Sequence, residues 1–331
     1  MTDSFSEAVL KLDLQHEAEL ICEKIKHYLR VPLKRRGLIV AISGGIDSSA
    51  SLALAVRAVG KDKVFCLQMP EAHSSEDTIG ISSRLAQHFG VATQHEDITS
   101  ILEAVGFYKR YDDAVRQVVP EYGQGWKSKI VIPNVATSKG FTFFSLIAQS
   151  PDNNIIKQRL PHKTYLAIVA ATNFKQRIRK MLEYYHADRL NYAVVGTPNR
   201  LEYDQGFFVK LGDGAGDIKP IAHLYKSQVY MMASYLGVPE EIRNRTPTTD
   251  TYSLEQGQDE FYFSLPYAEM DLCLYGKNHN IAPKEVARAI GLKEEQVKRI
   301  YQDIDTKRAT TTYLQLPPLL VSPVVEINHE V

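Results

Sequence analysis

The sequence predicts an α/β protein built on a doubly wound parallel sheet, with a small helical part near the C-terminus. Two observations predict the sheet: strand patterns, apolar in the first two strands and more polar in the third, alternate with segments of helical periodicity as far as Ile98, and another buried strand is predicted at Asn191–Thr197. A third observation is that the last third of the chain shows only short helical patterns. Strands that alternate with helices pair in parallel, because each crossover returns the chain to the same end of the sheet.

The elements follow from the N-terminus in that order. Apolar residues at helical spacing predict a first helix at Gln15–Leu29, and Tyr165–Ala187 is interpreted as one long helix or a kinked pair. In the last third, "APKEVARAIG" and "KEEQVKRIYQDI" are typical of a small helical pair, followed by a proline-containing tail. The predicted strands are Gly37–Ile42, Lys63–Met69, Ala92–Ile98 and Asn191–Thr197, and the other predicted helices are Asp47–Val59, Glu76–Gly90 and Ser227–Gly237.

The alternation is interrupted between Gly106 and His162. This stretch contains several Gly, Pro and Asn residues and the only tryptophan of the chain, Trp126. A connection of such length is usually functional or disordered, so we expect a long loop or an inserted lid at about residues 106–160. The chain as a whole, residues 1–331, is then expected to form one domain with a helical subregion from about residue 260.

Composition excludes several classes of protein. Lys plus Arg equal Asp plus Glu at 39 each, so the net charge favours neither a nucleic-acid nor a membrane partner. Cys22, Cys66 and Cys273 are far apart and show no CxxC spacing, which argues against a disulfide framework, a zinc ribbon or a redox pair. The N-terminus lacks the pattern of a signal peptide and no apolar run reaches membrane length, so a cytoplasmic location is expected.

The clearest chemical signal is "SGGIDS", Ser43 to Ser48, which follows a strand and opens a helix. The strand end and the helix N-terminus together favour an anion there, and glycines let the backbone approach phosphate oxygens closely. A carboxylate beside phosphates is repulsive unless a cation bridges the two, so Asp47 predicts Mg²⁺ held between the protein and a polyphosphate. The plain structural alternative is a strand-to-helix turn in which Asp47 caps the helix.

The G-x-x-x-x-G-K-[ST] pattern of a Walker A loop is absent. Instead, S-G-G-x-D-S after a strand resembles the pyrophosphate loop of the N-type ATP pyrophosphatases. That resemblance implies a Rossmann-like fold of the adenine nucleotide alpha hydrolase type. It also implies that ATP is split into AMP and pyrophosphate to adenylate a substrate oxygen.

A second group of polar and charged residues, from Pro198 to Tyr230, follows another predicted strand. It reduces the number of families that the sequence can resemble. On chemistry alone, Glu202 can supply a second Mg²⁺ ligand and Lys226 can neutralise charge on phosphate oxygens. The order and spacing of "PNRLEYDQGFFVKLGDGAGDIKPIAHLYKSQVY" closely resemble the corresponding series of the ammonia-dependent NAD synthetases.

The resemblance assigns roles position by position. Asp47, Lys210 and Lys226 would be catalytic, and Asp47 and Glu202 would bind Mg²⁺. The family shows a His where this chain has Thr306, and Arg177 lies in "NFKQRIRKM", similar to a family motif. The residues implied for ATP are Ala41, Ile42, Ser43, Gly44, Gly45, Ile46, Asp47, Ser48, Thr197, Lys226 and Thr248, and those for deamido-NAD are Arg177, Lys210, Asp217, Thr306 and Lys307.

The implied reaction is ATP-dependent amidation of deamido-NAD to NAD through an acyl adenylate, with ammonia as nitrogen donor and AMP and pyrophosphate as products. A carboxylate is unreactive toward ammonia, so the site needs cations and backbone amides rather than a covalent nucleophile. No glutaminase domain fits in the chain, so ammonia would come free or from a separate glutaminase partner. The family implies a homodimer, for which the amphipathic helix Gln15–Leu29 is a candidate contact.

Three alternatives stay open from the sequence. The insertion and Thr306 leave room for an amidoligase of the same fold that acts on another carboxylic acid. A tRNA-modifying relative would be expected to show a basic face, a CxxC pair or a catalytic cysteine. A non-catalytic nucleotide sensor is disfavoured by the joint presence of Asp47, Glu202, Lys210 and Lys226.

Overall fold

The computed structural model describes residues 5–74, 76–132, 143–245, 251–254, 257, 262–263 and 265–326. At its centre is a parallel sheet of four strands in the order β3-β2-β1-β7. The doubly wound α/β prediction is confirmed. The strands of this sheet are β1 (Leu38–Ala41), β2 (Val64–Gln68), β3 (Ala92–His95) and β7 (Ala193–Val194).

The strand order reverses at β1, which pairs with β2 on one side and with β7 on the other. Leu38 lies opposite Val64 on β2 and opposite Ala193 on β7, so two strands far apart in sequence flank the same short strand. Such a switch point opens a crevice at the carboxyl ends of the strands, where ligands of open α/β sheets bind.

Side chains of β1 alternate between two apolar layers, as the pleat of a strand requires. Leu38 and Val40 pack with the helices on one face, and Ile39 packs with those on the other. Helices therefore cover both faces, and the strand is buried throughout apart from Ala41 at its end. The first layer contains α1 (Leu14–Arg30), α2 (Ile46–Val59), α3 (Glu76–Phe89), α8 (Lys226–Tyr235) and α9 (Glu240–Arg243); the second contains α4 (Thr99–Ala104), α5 (Phe107–Arg116) and α6 (His162–Leu190).

The expectation of a long loop at residues 106–160 is wrong for its described part. Helix α5 and a three-stranded antiparallel sheet occupy it. The missed helical signal was the apolar spacing of Phe107, Tyr111, Ala114 and Val115, all of which are buried. The strands, called the inserted sheet below, are β4 (Lys127–Val131), β5 (Ser145–Gln149) and β6 (Ile155–Arg159).

Helix α1 confirms the predicted first helix, but its apolar face is not available to a second copy of the chain. Ala18, Ile21, Cys22, Ile25 and Leu29 are buried in the layer that α2 and α8 share. The apolar face of α1 was the reason to expect a dimer contact there, but this face packs in the core of the same chain. It therefore gives no support to a dimer contact on α1.

The C-terminal part forms a third apolar cluster, as its helical patterns predicted. Gly291, with φ of 70°, ends α11 and separates it from α12, which gives the expected helical pair. The helices that contribute to this cluster are α7 (Arg200–Gln205), which follows β7, and the C-terminal helices α10 (Tyr267–Asn278), α11 (Pro283–Ile290) and α12 (Glu294–Gln315).

All three cysteines are free and buried, as expected for small apolar residues. Burial raises the pKa of the Cys66 thiol, and that of Cys273, to about 12, so neither is a ready nucleophile. Among the described residues, no helix is both long and apolar enough to cross a membrane.

Candidate functional site

The loop between β1 and α2 forms the floor of the crevice. Gly44 has φ of 72°, and a Cβ at this position would lie 3.1 Å from Cγ2 of Ile81, so glycine suits both the conformation and the space. Ser48 Oγ donates to Gly45 O at 3.0 Å and lies 3.3 Å from Ser43 Oγ, which closes the turn. Gly45 is the N-cap of α2 and has no side chain, so the N-terminal turn of the helix is open to an anion.

Asp47 is in the first turn of α2 and joins this loop to two distant segments. Its Oδ2 accepts a hydrogen bond from Lys226 Nζ at 2.5 Å, and its Oδ1 accepts one from Asn199 Nδ2 at 3.1 Å. Lys226 is buried, whereas the Asp47 side chain is 17% exposed toward the crevice. The Asp47 carboxylate is thus paired with Lys226 and still accessible to a ligand in the crevice.

Glu202 lies on α7, beside this pair. Asn199 and Glu202 form a capping box, in which Glu202 Oε2 accepts from Asn199 N at 3.1 Å and Glu202 N donates to Asn199 Oδ1 at 3.2 Å. Burial, reinforced by the charge of Asp47, raises the pKa of Glu202 to about 8. A second carboxylate is therefore held in a place where its charge is unfavourable without a cation.

Lys226 is positioned from two sides. Burial alone would lower the pKa of its ammonium, but the charges of Asp47 and Glu202 outweigh burial and raise the pKa above its ordinary value. Asp271 of α10 accepts from Lys226 N at 3.1 Å and from Ser227 N at 2.7 Å, and so caps α8 at its first residue. Burial raises the pKa of Asp271 to about 6. A charged lysine thus begins a helix whose N-terminus is fixed by the C-terminal part of the chain.

These groups line one large cleft with a volume of about 1150 Å³. Of the predicted residues, the structure brings together here Ala41, Ile42, Ser43, Gly44, Gly45, Ile46, Asp47, Ser48, Thr197, Glu202 and Lys226. Thr248, predicted to contact ATP, lies outside the described residues.

The residues predicted for the second substrate lie outside the lining of this cleft. Arg177 Nε donates to the carbonyl of Lys210 at 3.3 Å, and Lys210 Nζ donates to Tyr313 O at 2.6 Å. Asp217 accepts from Val194 N at 2.7 Å and from the Tyr184 hydroxyl at 3.2 Å. Arg177 and Lys210 therefore form a small group on the outer side of α6.

Thr306 and Lys307 are on α12, away from Asp47. Thr306 Oγ1 donates to Gln302 O of its own helix at 2.9 Å and is exposed. Lys307 pairs with Asp303 at 2.6 Å and donates to the carbonyl of Tyr262, which lines the cleft, at 2.6 Å. Burial lowers the pKa of Lys307.

Sequence reasoning missed a buried pair in the cleft wall, Lys175 and Glu71. Lys175 Nζ donates to Glu71 Oε1 at 2.7 Å, and the Tyr108 hydroxyl donates to Glu71 Oε2 at 2.9 Å. Lys180 and Glu183, paired at 2.6 Å, are likewise buried on α6. The sequence does contain a signal for these pairs, because Lys175, Lys180 and Glu183 occupy positions of α6 that face the interior. A search for apolar periodicity does not detect charged residues at such positions.

Comparisons with known proteins identify the family of the chain. A family model described as NAD synthase matches residues 17–122 and 145–311. The chain is 58% identical over 324 residues to a Rhizobium meliloti protein named NH(3)-dependent NAD(+) synthetase, covering 98% of this chain and 97% of that one. A Mesorhizobium japonicum protein of the same name is 55% identical over 322 residues, covering 97% and 100%. The structure of an NH3-dependent NAD synthetase from Campylobacter jejuni has the same fold, with a TM-score of 0.61 and 22% identity over 94% of this chain and 100% of that one.

Proposed function

The chain belongs to the NAD synthase family, and from that premise we propose how its cleft performs the family's reaction. The reaction is ATP-dependent amidation of deamido-NAD with ammonia, which gives NAD. Ammonia does not displace an oxide from a carboxylate, so ATP first converts the carboxylate to an acyl adenylate, with pyrophosphate as leaving group. Ammonia then displaces AMP. The cleft must therefore stabilise phosphate charge and align two anionic substrates.

The loop from Ala41 to Ser48 binds the ATP phosphates in this proposal. The supporting features are the strand end, the open N-terminal turn of α2 and the close approach that Gly44 and Gly45 permit. Thr197, at the carboxyl end of the neighbouring strand, lines the same cleft and is assigned to ATP as well.

Mg²⁺ would be held by Asp47 and Glu202. The fit rests on Glu202: burial and the charge of Asp47 raise its pKa to about 8, and a divalent cation would relieve that repulsion. The described residues contain no cluster of three metal-ligating side chains, so the other ligands would be phosphate oxygens and water, as Mg²⁺ commonly prefers. When bound, the ion would neutralise charge on the pyrophosphate.

Lys226 is assigned to the charge that develops on the phosphate oxygens. Its ammonium is buried, protonated and fixed by Asp47, so it needs little reorganisation to meet an oxyanion. Asn199 holds the other oxygen of Asp47 and thereby keeps the carboxylate oriented.

Deamido-NAD would extend from this cleft to Arg177, Lys210 and Asp217. We place a homodimer contact on the same outer side of α6, where Met181 and Tyr185 are 56% and 61% exposed and Leu211 is 71% exposed. Thr306 and Lys307 keep their assignment to this substrate. In sedimentation, Met181→Glu is expected to give monomers and a higher KM for deamido-NAD at an unchanged KM for ATP; a dimeric variant would contradict this placement.

The whole chain is proposed to act as one unit, because Asp271 of the C-terminal helices fixes the start of α8. Ammonia would reach the site free or from a separate glutaminase partner, and the chain would work in the cytoplasm. With glutamine in place of ammonia, we expect no turnover by the isolated protein, and turnover with glutamine would contradict this assignment.

The observation that carries the proposal is the ion pair of Asp47 with Lys226 beside the buried Glu202, at the end of a phosphate loop. The test is release of pyrophosphate and AMP in the presence of Mg²⁺, ATP and ammonia. Deamido-NAD is compared with a panel of other carboxylic acids, and turnover with deamido-NAD is the expected result.

A second candidate is an amidoligase of the same fold acting on another carboxylic acid. The observation that favours it is the inserted sheet, which reaches the cleft through Trp126 and Lys127. In the same assay, turnover of another acid without turnover of deamido-NAD would select this alternative.

A further inference from the structure

The inserted sheet supplies a part of the cleft wall that the family pattern does not describe. The match to the family model is interrupted at residues 123–144, between its two matched ranges. Within this interruption, Gly125, Trp126 and Lys127 line the cleft that also contains Asp47. Residues outside the two ranges matched by the family model thus line the same cleft as Asp47.

The wall is aromatic. Trp126 lies against the buried Tyr122, with ring centroids 5.9 Å apart, and lines the cleft. Phe144 of the same segment stacks on Tyr165 of α6 with centroids 4.2 Å apart and ring planes 15° apart, and both also line the cleft. Tyr252 continues this lining and is buried.

Hydrogen bonds hold this wall in place. The buried Ser128 lies directly after Lys127, and its Oγ contacts the hydroxyls of Tyr111 and Tyr122 at 2.8 and 3.0 Å. Its backbone N donates to Ser253 Oγ at 3.0 Å, and its carbonyl accepts from Leu254 N at 3.1 Å. The first strand of the inserted sheet is therefore fixed to α5 on one side and to residues 251–254 on the other.

We propose that Trp126 is a specificity-determining residue that receives the nicotinate ring of deamido-NAD. The inference rests on the proposed function. The nicotinate ring in this substrate is a pyridinium, because its nitrogen carries the ribose, and a cationic ring is attracted to the face of an indole. Neutral adenine can also stack on an indole but lacks the cationic attraction, and this difference favours the pyridinium end.

The position also suits the chemistry. The carboxylate that reacts is attached directly to this ring, so fixing the ring in the cleft fixes the carboxylate relative to ATP at the loop of Asp47. Lys127, exposed on the neighbouring position of the strand, adds a cation for the phosphates of the same dinucleotide.

Because Trp126 is the only tryptophan of the chain, its fluorescence reports on this contact directly. Pyridinium rings quench an excited indole by accepting an electron at contact, whereas adenine does so weakly. In titrations of the wild-type protein, deamido-NAD is expected to quench the emission to saturation, and ATP with Mg²⁺ is expected to leave most of it. Equal emission with and without saturating deamido-NAD, in a protein that turns this substrate over, would overturn the inference and leave the proposed function intact.

Variants test the same contact through kinetics. Trp126→Ala is expected to raise the KM for deamido-NAD by about 3- to 30-fold, the contribution of a cation–π contact, with the KM for ATP changed less than twofold. Trp126→Phe keeps an aromatic face and should recover most of the affinity. Phe143→Ala is the matched control, since Phe143 is in the same segment but outside the cleft lining and is expected to leave both KM values unchanged. A rise in the KM for ATP alone in Trp126→Ala would assign the residue to adenine and overturn the inference.

Discussion

Among the buried lysines that line the cleft, Lys226 and Lys175 are each paired with a carboxylate, and these two pairs have different surroundings. The Asp47 side chain is 17% exposed and lies beside Glu202, whereas the Glu71 side chain is fully buried and accepts a second hydrogen bond from Tyr108. In the first pair, called the open pair, the carboxylate is accessible to a cation or a phosphate. In the second, called the closed pair, the carboxylate is fully buried, although its partner Lys175 lines the cleft. The comparison teaches that an ion pair supports catalysis where its charge is left incompletely balanced, and supports the fold where the balance is complete.

The largest expected effect is on the open pair. Asp47→Asn keeps a polar side chain of the same shape beside Asn199 but removes the charge that is paired with Lys226 and that we propose for Mg²⁺. We expect kcat to fall by roughly 10³-fold or more, and the midpoint of thermal unfolding to fall less than for the second pair, because Glu202 remains beside the buried Lys226 ammonium. Pyrophosphate release measures the first quantity and circular dichroism the second. A rate like that of the wild type would remove the metal role from Asp47.

The closed pair should respond in stability instead. Lys175→Met leaves the Glu71 carboxylate buried without its cation and is expected to lower the free energy of unfolding by about 3–5 kcal/mol. Urea unfolding measures this loss. The double variant Lys175→Met with Glu71→Gln should recover a large part of it, because no buried charge remains. If the double variant is as unstable as the single one, the loss comes from packing and the comparison fails.

The pH dependence sharpens the contrast. The pKa of Glu202 is raised from 4.5 to about 8, so the folded protein without ligand binds the proton more tightly than the unfolded chain does. This contribution to stability is complete below about pH 4.5 and is lost as the pH rises toward 8.

Glu202→Gln removes this titration. Thermal unfolding of the wild type and of Glu202→Gln between these pH values should show the wild type losing stability relative to the variant as the pH rises. Mg²⁺ with ATP should restore the wild type and not the variant. Parallel curves for the two proteins would show that Glu202 does not titrate in this range.

The smallest effect is expected from Tyr108→Phe. It removes one hydrogen bond to Glu71 and leaves the Lys175 pair in place, so unfolding should lose about 1 kcal/mol. The KM for ATP should not change. A large change in that KM would mean that the closed pair also takes part in binding.

The parallel sheet and the loop that contains Asp47 could be predicted from the sequence. There, β1 and β2 are continuous apolar runs, and strand ends in a parallel sheet meet at one edge, so local patterns located the loop. Glu202 and Lys226 could be added because they follow the next strand end of the sheet.

The inserted sheet and the second ion pair could not be predicted in the same way. Polar and charged residues interrupt β4 and β6, and β6 is largely exposed, so no continuous apolar run marks these strands. Glu71 and Lys175 are 104 positions apart and meet only through the packing of α6 on the sheet. Contacts of that range depend on the tertiary arrangement, which no local pattern encodes.

The hydrogen bonds of Asp271 have a consequence for how the protein is made. Lys226 is aimed by a carboxylate that leaves the ribosome 45 residues later. Until α10 has been synthesised, the backbone N–H groups at the start of α8 lack the carboxylate that caps them in the folded chain. The loop of Asp47 comes early in the chain, but the helix that carries its lysine partner is completed only by the C-terminal part.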